Sequence, residues 1–150
     1  MDKLTFKRKI GRTDPKMVGT AHEYMLAETI INDRPFLDYF GHIEKAHEYD
    51  YNIAKRLYFE LTGESDSYSH WPDGWPGKNR AVLLVCGICF TERDNPLIFA
   101  FEETDTTVVW SGFHNDQTKR NYIEIPVFRF EKEQYKAAMA QLKIIADEEA

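Results

Sequence analysis

Several features that restrict what a protein can do are scarce in this chain of 150 residues. It has only two cysteines, Cys86 and Cys89, which cannot build a disulfide framework. No stretch approaches the roughly 18 apolar residues that a membrane-spanning helix needs. The first ten residues are rich in lysine and contain no apolar segment of the kind found in a signal peptide. We therefore expect a cytoplasmic protein without a membrane partner.

Basic residues are outnumbered by acidic ones, 19 to 25, and the formal net charge is −6. A surface that binds nucleic acid needs clustered Lys and Arg to contact phosphates, so we expect no nucleic-acid partner. The balance suits a basic protein partner better, although mild acidity also keeps many soluble domains dispersed. Charge alone therefore favours no function.

Motifs that would identify an enzyme are also missing. The sequence has no Gly-rich phosphate-binding loop. Ser111 lies in Trp-Ser-Gly-Phe, not in the Gly-x-Ser-x-Gly turn of a hydrolase nucleophile. Glu102, Glu103 and Asp105 could pair for acid–base chemistry, but no partner base or apolar pocket accompanies them, which favours a solvated turn. We predict a protein that is not an enzyme and has no cofactor.

The strongest pattern that is present runs from Gly77 to Phe113. Three short runs at 80–90, 97–101 and 106–113 are rich in β-branched and aromatic residues and are separated by turn residues. Such runs predict three consecutive antiparallel strands. The first run is apolar on both faces, which predicts a central strand covered on both sides. Trp110 and Phe113 are expected in the core.

The N-terminal third gives mixed signals. Residues 4–10 alternate and predict a short edge strand whose lysines protect it against unwanted pairing. Residues 22–31 contain helix formers yet end like a strand before a turn. Asp33 and Pro35 predict the cap and first turn of a helix whose inward residues are Phe36, Leu37, Phe40, Ile43 and His47.

A second helix is predicted from Tyr51 to Leu61, where Thr62-Gly63 ends it. Residues 122–130 alternate and predict a last strand, in which Pro126 indicates an edge or a bulge. A closing helix is predicted from Glu131 to about Asp147, and its inward residues are Tyr135, Ala138, Met139, Leu142 and Ile145. Together these elements predict a single α+β domain over residues 1–150, with a mostly antiparallel sheet and two or three helices packed mainly on one face.

The loop from Glu64 to Asn79 is long for a compact domain, which indicates a functional or mobile segment. Trp and Tyr supply much of the binding energy at protein interfaces, and this loop carries them beside prolines. An alternative is that Trp71 and Trp75 fold back over the core as a lid. The predicted partner-binding residues are Glu64, Asp66, Tyr68, His70, Trp71, Asp73 and Trp75.

Three short motifs form an ordered set: residues 83–90 with a Cys-Gly turn, Val108-Val-Trp-Ser-Gly-Phe113, and Phe128-Arg-Phe-Glu-Lys-Glu-Gln-Tyr135. Together with residues 31–40, this set resembles a widespread group of small bacterial proteins of largely unassigned function. The resemblance implies an α+β single domain and a bacterial origin. Relatives of this type look similar to the immunity proteins of polymorphic secreted toxins, which implies a cognate protein toxin as partner.

Cys86-Gly-Ile-Cys89 has the spacing of redox dithiols and of half a zinc site. A redox dithiol usually needs a helix N-terminus to stabilise its thiolate, and here a polar turn follows instead. Residues 91–97 also replace a further Gly-Cys and a Trp-Pro of the resembled group. Zinc would need two more ligands from the histidines, which are His22, His42, His47, His70 and His114. Small buried hydrophobes are the favoured interpretation of the two cysteines, and a zinc-binding or thiol-dependent enzyme is the alternative.

Overall fold

The computed structural model describes residues 1–12, 23–46, 59–60, 80–85, 97–114 and 122–149. Within these residues, strands predominate over helices, and all the strand pairs are antiparallel, so the chain is α+β with mostly antiparallel sheet. The elements are β1 Leu4–Arg12, β2 Glu23–Ile31, β3 Arg34–Pro35, α1 Phe36–Ala46, β4 Phe59–Glu60, β5 Arg80–Val85, β6 Leu97–Glu103, β7 Thr107–His114, β8 Phe128–Glu131 and α2 Lys132–Glu149.

The strands form two sheets in which each strand pairs with its neighbour in sequence. The orders are β1-β2-β3 and β4-β5-β6-β7-β8. The predicted three-strand meander is confirmed as β5, β6 and β7, and β5 is an interior strand because it pairs with both β4 and β6. Ile98 lies on the face of β6 opposite Phe99 and is 2% exposed, so both faces of the sheet are covered at this end.

The ambiguous segment before Ile31 is a strand throughout its described part, residues 23–31. It pairs with β1 along its whole length, from Ile31 opposite Leu4 to Glu23 opposite Arg12. This pairing outweighs the helix propensity of individual residues. The predicted edge strand is confirmed as β1, which is outermost in the smaller sheet.

The predicted helix cap at Asp33 is wrong. Asn32 and Asp33 have φ values of 55° and 63°, the left-handed backbone of a two-residue hairpin turn, whereas a cap residue is extended. This turn returns the chain as β3, where Arg34 and Pro35 pair with Ile31 and Ile30. Helix α1 therefore starts at Phe36.

Two further boundaries differ from the prediction. Phe59 and Glu60 pair with Val85 and Leu84 as a strand, so the second helix does not extend to Leu61, and residues 51–58 lie outside the described part. The last strand is confined to Phe128–Glu131, while Tyr122 and Ile125 are buried in the turn before it. Pro126 cannot donate to a strand ladder and lies in that turn.

The core is an aromatic cluster on one face of the larger sheet. Trp110 packs its ring edge-on to Phe130 at 5.2 Å and to Tyr135 at 6.0 Å, and Phe99 lies 4.5 Å from it. Such pairs each add about 0.5–1.5 kcal/mol to the free energy of burial. Helix α2 covers the cluster as predicted, with four buried residues and the half-buried Met139; the buried ones are Tyr135, Ala138, Leu142 and Ile145. From α1, Phe36, Phe40 and Ile43 join the core.

The first residues join the two sheets. Asp2 donates its backbone N–H to the Arg129 carbonyl at 2.8 Å and accepts the Arg129 N–H on its carboxylate at 2.8 Å. The Gln134 side chain binds the backbone of Leu4. Its Oε1 accepts the Leu4 N–H at 3.1 Å, and its Nε2 donates to the Leu4 carbonyl. A side chain of α2 thus takes the place of a neighbouring strand at the start of β1.

Candidate functional site

The hairpin between β6 and β7 carries the carboxylates of Glu102, Glu103 and Asp105, which we call the acidic turn. All three are exposed, as the predicted solvated turn requires. Thr104 holds the turn: its backbone N–H donates to the Thr107 carbonyl at 2.9 Å, and its hydroxyl accepts the Thr107 N–H at 3.0 Å. The two threonine hydroxyls are also 2.7 Å apart. A short polar side chain thus fixes the backbone that presents the acids.

Helix α2 anchors the same turn through its first residue, Lys132. The Lys132 Nζ lies 3.1 Å from Glu103 Oε1 and donates to the Thr104 carbonyl at 3.1 Å, while its backbone N–H donates to the Thr106 carbonyl at 2.9 Å. These contacts tie the acidic turn to the start of helix α2, which packs on the core.

The charge of this end of the molecule is mainly negative. Glu131 is exposed and pairs in register with Thr107, next to the acidic turn. Lys132 neutralises Glu103. In the described part of the chain, Glu102, Asp105 and Glu131 keep exposed carboxylates that are not in an ion pair. The arrangement can attract and orient a cationic surface.

Tyr135 lies buried beneath the acidic turn. Burial raises the pKa of its phenol above the usual range, the adjacent Trp110 indole lowers it in part, and the Glu103 carboxylate raises it further. The phenol is therefore protonated at neutral pH, and its ring packs in the aromatic core 5.8 Å from that of Phe130.

Ser111, which lies outside any hydrolase motif, and His114, which was weighed as a zinc ligand, lie in β7 on the face away from the aromatic core. Ser111 is half-buried and pairs with Ala100 in register. Gly112 has a φ of 63° at a bulge in β7, and its carbonyl oxygen lies 2.8 Å from His114 Nδ1. If that nitrogen carries the proton, Nε2 has the lone pair that a metal or a base function uses.

The described ranges contain no group of three or more His, Cys, Asp or Glu residues that could hold a metal ion. His42 is exposed on α1. The other proposed ligands fall outside the described residues; they are Cys86, Cys89, His22, His47 and His70. The same holds for every predicted partner-binding residue: Glu64, Asp66, Tyr68, His70, Trp71, Asp73 and Trp75. Their roles stay predictions.

The residues of the two C-terminal motifs have structural roles. Val108, Trp110 and Phe113 of the first are buried in the core cluster, as are Phe128 and Phe130 of the second. Gln134 binds the Leu4 backbone. These motifs define how the sheet, the closing helix and the N-terminal strand fit together, and they bring no reactive groups to one point.

Sequence reasoning missed the two residues that hold the acidic turn, Thr104 and Lys132. A signal for Thr104 was present, because a threonine in a tight turn often binds backbone groups two or three residues ahead. Lys132 had no local signal, since its contacts join residues 28 positions apart.

The chain matches no protein-family model, and neither a curated protein nor a solved structure matches it. Among the described residues, neither helix is long and apolar enough to cross a membrane.

Proposed function

We propose that this chain is a non-enzymatic binding protein, a bacterial immunity protein that occludes a cognate secreted toxin. The observation that carries the proposal is the acidic turn, which presents exposed carboxylates on a fixed backbone. Fixing a binding element in advance lowers the ordering cost of association. Carboxylates at the rim of an interface raise the association rate with a basic partner.

The aromatic loop supplies the second part of the proposed surface. Occlusion of a toxin would bury about 800 Å² on each partner around a few aromatic anchors. Trp71, Trp75 and Tyr68 are the proposed anchors, and Glu64, Asp66 and Asp73 add negative charge beside them. In this proposal the loop provides affinity, and the acidic turn provides speed and orientation.

The proposal extends to the whole chain and its surroundings. We expect residues 1–150 to fold as a single domain with two or three helices mainly on one face, in the bacterial cytoplasm. The resemblance to immunity proteins and the excess of acidic residues support this view. A basic toxin surface is the expected counterpart.

The first step of the test is to examine the neighbouring reading frames for a secreted protein, whose C-terminal domain is then the proposed toxin. Expression of that domain alone should stop bacterial growth, and co-expression with this chain should restore it. Purified proteins should bind in a one-to-one ratio in calorimetry, and a Trp71→Ala/Trp75→Ala variant should lose most of the affinity. Growth arrest that this chain does not relieve, without measurable binding, would exclude the immunity role.

The alternative is a zinc-binding or thiol-dependent enzyme that uses Cys86 and Cys89. One observation favours it. Strand β7, which ends at His114, runs parallel to β5, and Cys86 is the next residue in the sequence after β5. The Nδ1 atom of His114 lies 2.8 Å from the Gly112 carbonyl oxygen. Metal analysis of the purified protein tests this alternative, with Cys86→Ser/Cys89→Ser as the matched variant. Stoichiometric zinc that the variant loses would favour the enzyme over the immunity protein.

A further inference from the structure

The face of the larger sheet that points away from the aromatic core is accessible where β6, β7 and β8 lie side by side. Ala100 is exposed on this face of β6, and Ser111, which pairs with it from β7, is half-buried. Further along the strands, Glu102 pairs with Val109, and Val109 pairs with Arg129. Residues paired across neighbouring strands point to the same face of a sheet. Glu102, Val109 and Arg129 therefore form one row across this face, which we call the central row.

The central row has an apolar middle and opposite charges at its two ends. Val109 is half-buried, whereas Glu102 and Arg129 are exposed. Neighbouring strands lie about 4.8 Å apart, so the backbones of the two charged residues are about 10 Å apart with the valine between them. In the described part of the chain, neither charged side chain has an ion pair. The Asp2 carboxylate binds the backbone N–H of Arg129.

The central row is complementary to a second copy of itself. Two such sheets can face each other about a two-fold axis that runs along β7, which places β6 of one copy over β8 of the other. Glu102 of each copy then faces Arg129 of the other, and the two Val109 side chains meet at the axis. A two-fold axis across the strands would instead place like charges against each other, which is unfavourable. The charges therefore select one of the two face-to-face arrangements.

We propose that this chain forms a weak two-fold dimer through the outer face of β6, β7 and β8. Facing sheets lie about 10 Å apart, a gap that a glutamate and an arginine side chain can span together. Three strands are only about 15 Å wide, so the face is smaller than the roughly 800 Å² per partner of a stable complex. The two acidic turns also lie at the same end of the dimer and repel each other. We therefore expect a dissociation constant of about 10–100 µM.

The dimer does not depend on the immunity role. Glu102 belongs both to the acidic turn and to the central row, so the dimer and the proposed toxin contact share this side chain. A toxin that binds the acidic turn should therefore shift the chain towards the monomer. One face of an antiparallel sheet can also simply be solvated, and that alternative predicts a monomer at every concentration.

The test is sedimentation velocity of the full-length chain over concentrations on both sides of the expected dissociation constant. The wild type should shift from monomer to dimer as its concentration rises. Glu102→Arg replaces both attractive pairs by repulsive ones and should weaken the dimer by about tenfold or more, as should Arg129→Glu. The double variant Glu102→Arg/Arg129→Glu exchanges the charges, restores both pairs and should restore the dimer.

The matched controls are Glu133→Arg and Lys143→Glu on the exposed face of α2, which change the net charge by the same amounts and should leave the dimer unchanged. Circular dichroism confirms that each variant is folded. If one single variant unfolds, the other single variant and the charge exchange decide. Three results would overturn the proposal: a wild type that is monomeric at every concentration, equal weakening by the control variants, or a charge-exchange variant that dimerises no better than the single variants.

Discussion

Two tight polar turns use their side chains in opposite ways. In the Asn32–Asp33 turn, the Asn32 amide accepts the Lys3 N–H at 2.9 Å and donates to the Asp2 carboxylate at 2.8 Å. In the acidic turn, Thr104 forms the internal hydrogen bonds, and the neighbouring carboxylates remain exposed. The Asn32 side chain is thus occupied by contacts with the N-terminal residues, whereas Thr104 forms the bonds within its turn and leaves the neighbouring acidic side chains exposed.

The largest effect is expected at the Asn32–Asp33 turn. Asn32→Ala removes two side-chain hydrogen bonds. It also places alanine at a φ of 55°, a left-handed conformation that asparagine tolerates better. We expect a loss of about 2–4 kcal/mol in the free energy of unfolding. Chemical denaturation measures this loss. Asn32→Gly tolerates the backbone and loses only the side-chain bonds, so it should cost less. Equal costs for both variants would show that the backbone conformation is unstrained.

Gln134 is the next strongest test, because its amide binds the partly buried backbone of Leu4. Gln134→Ala leaves the Leu4 N–H and carbonyl without their side-chain partner in a partly buried place. The free energy of unfolding should fall by about 1–3 kcal/mol. The control is Gln141→Ala, an exposed position on the same helix, which should change little. Similar losses in both variants would remove the assigned role of Gln134.

The buried phenol beneath the acidic turn predicts a pH effect. Burial raises the pKa of Tyr135 in the folded state, so above pH 10 the unfolded chain loses this proton while the folded chain keeps it. The free energy of unfolding should therefore fall as pH rises above 10, with a slope approaching about 1.4 kcal/mol per pH unit from this group. Denaturation at several alkaline pH values should show a smaller slope for Tyr135→Phe. An unchanged slope would contradict the burial of the phenol.

Thr104 should have a smaller effect on stability and a visible effect on binding. Thr104→Ala removes the hydroxyl that accepts the Thr107 N–H and should cost about 0.5–1.5 kcal/mol. Thr104→Ser keeps the hydroxyl and should retain most of the stability. Stopped-flow measurements with the cognate toxin domain should give a lower association rate for the alanine variant than for the serine variant. Identical rates would separate turn rigidity from recognition.

The smallest stability effect is expected for the exposed carboxylates themselves. Glu102→Gln/Asp105→Asn should change the free energy of unfolding by no more than about 0.5 kcal/mol. The same variant should slow association with a basic toxin domain and weaken its salt dependence. If affinity for the toxin domain is unaffected at every salt concentration, the acidic turn does not take part in recognition.

Elements with strong local periodicity were predictable from the sequence. The meander and the closing helix were found because apolar residues recur at strand and helix spacing around clear turns. The roles of residues that depend on partners far along the chain were not predictable from the sequence. Asp33 looked like a helix cap because caps and two-residue hairpin turns favour the same residue types, and only pairing of Arg34 with Ile31 separates them.

The candidate site was predictable only in part. Glu102, Glu103 and Asp105 were recognised as a solvated turn, yet the contacts of Lys132 that hold it arise from the tertiary fold. Trp110 and Phe113 were correctly expected in the core. The aromatic loop lies outside the described residues, so its role as the main binding surface stays a prediction.

Calorimetric titration of this chain with the proposed toxin domain tests the central claim most directly. We predict one-to-one binding that abolishes the toxin's activity and that weakens in the Glu102→Gln/Asp105→Asn variant. An intact toxin activity in the presence of excess chain, with no heat of binding, would contradict the claim that recognition of a toxin is the function of this protein.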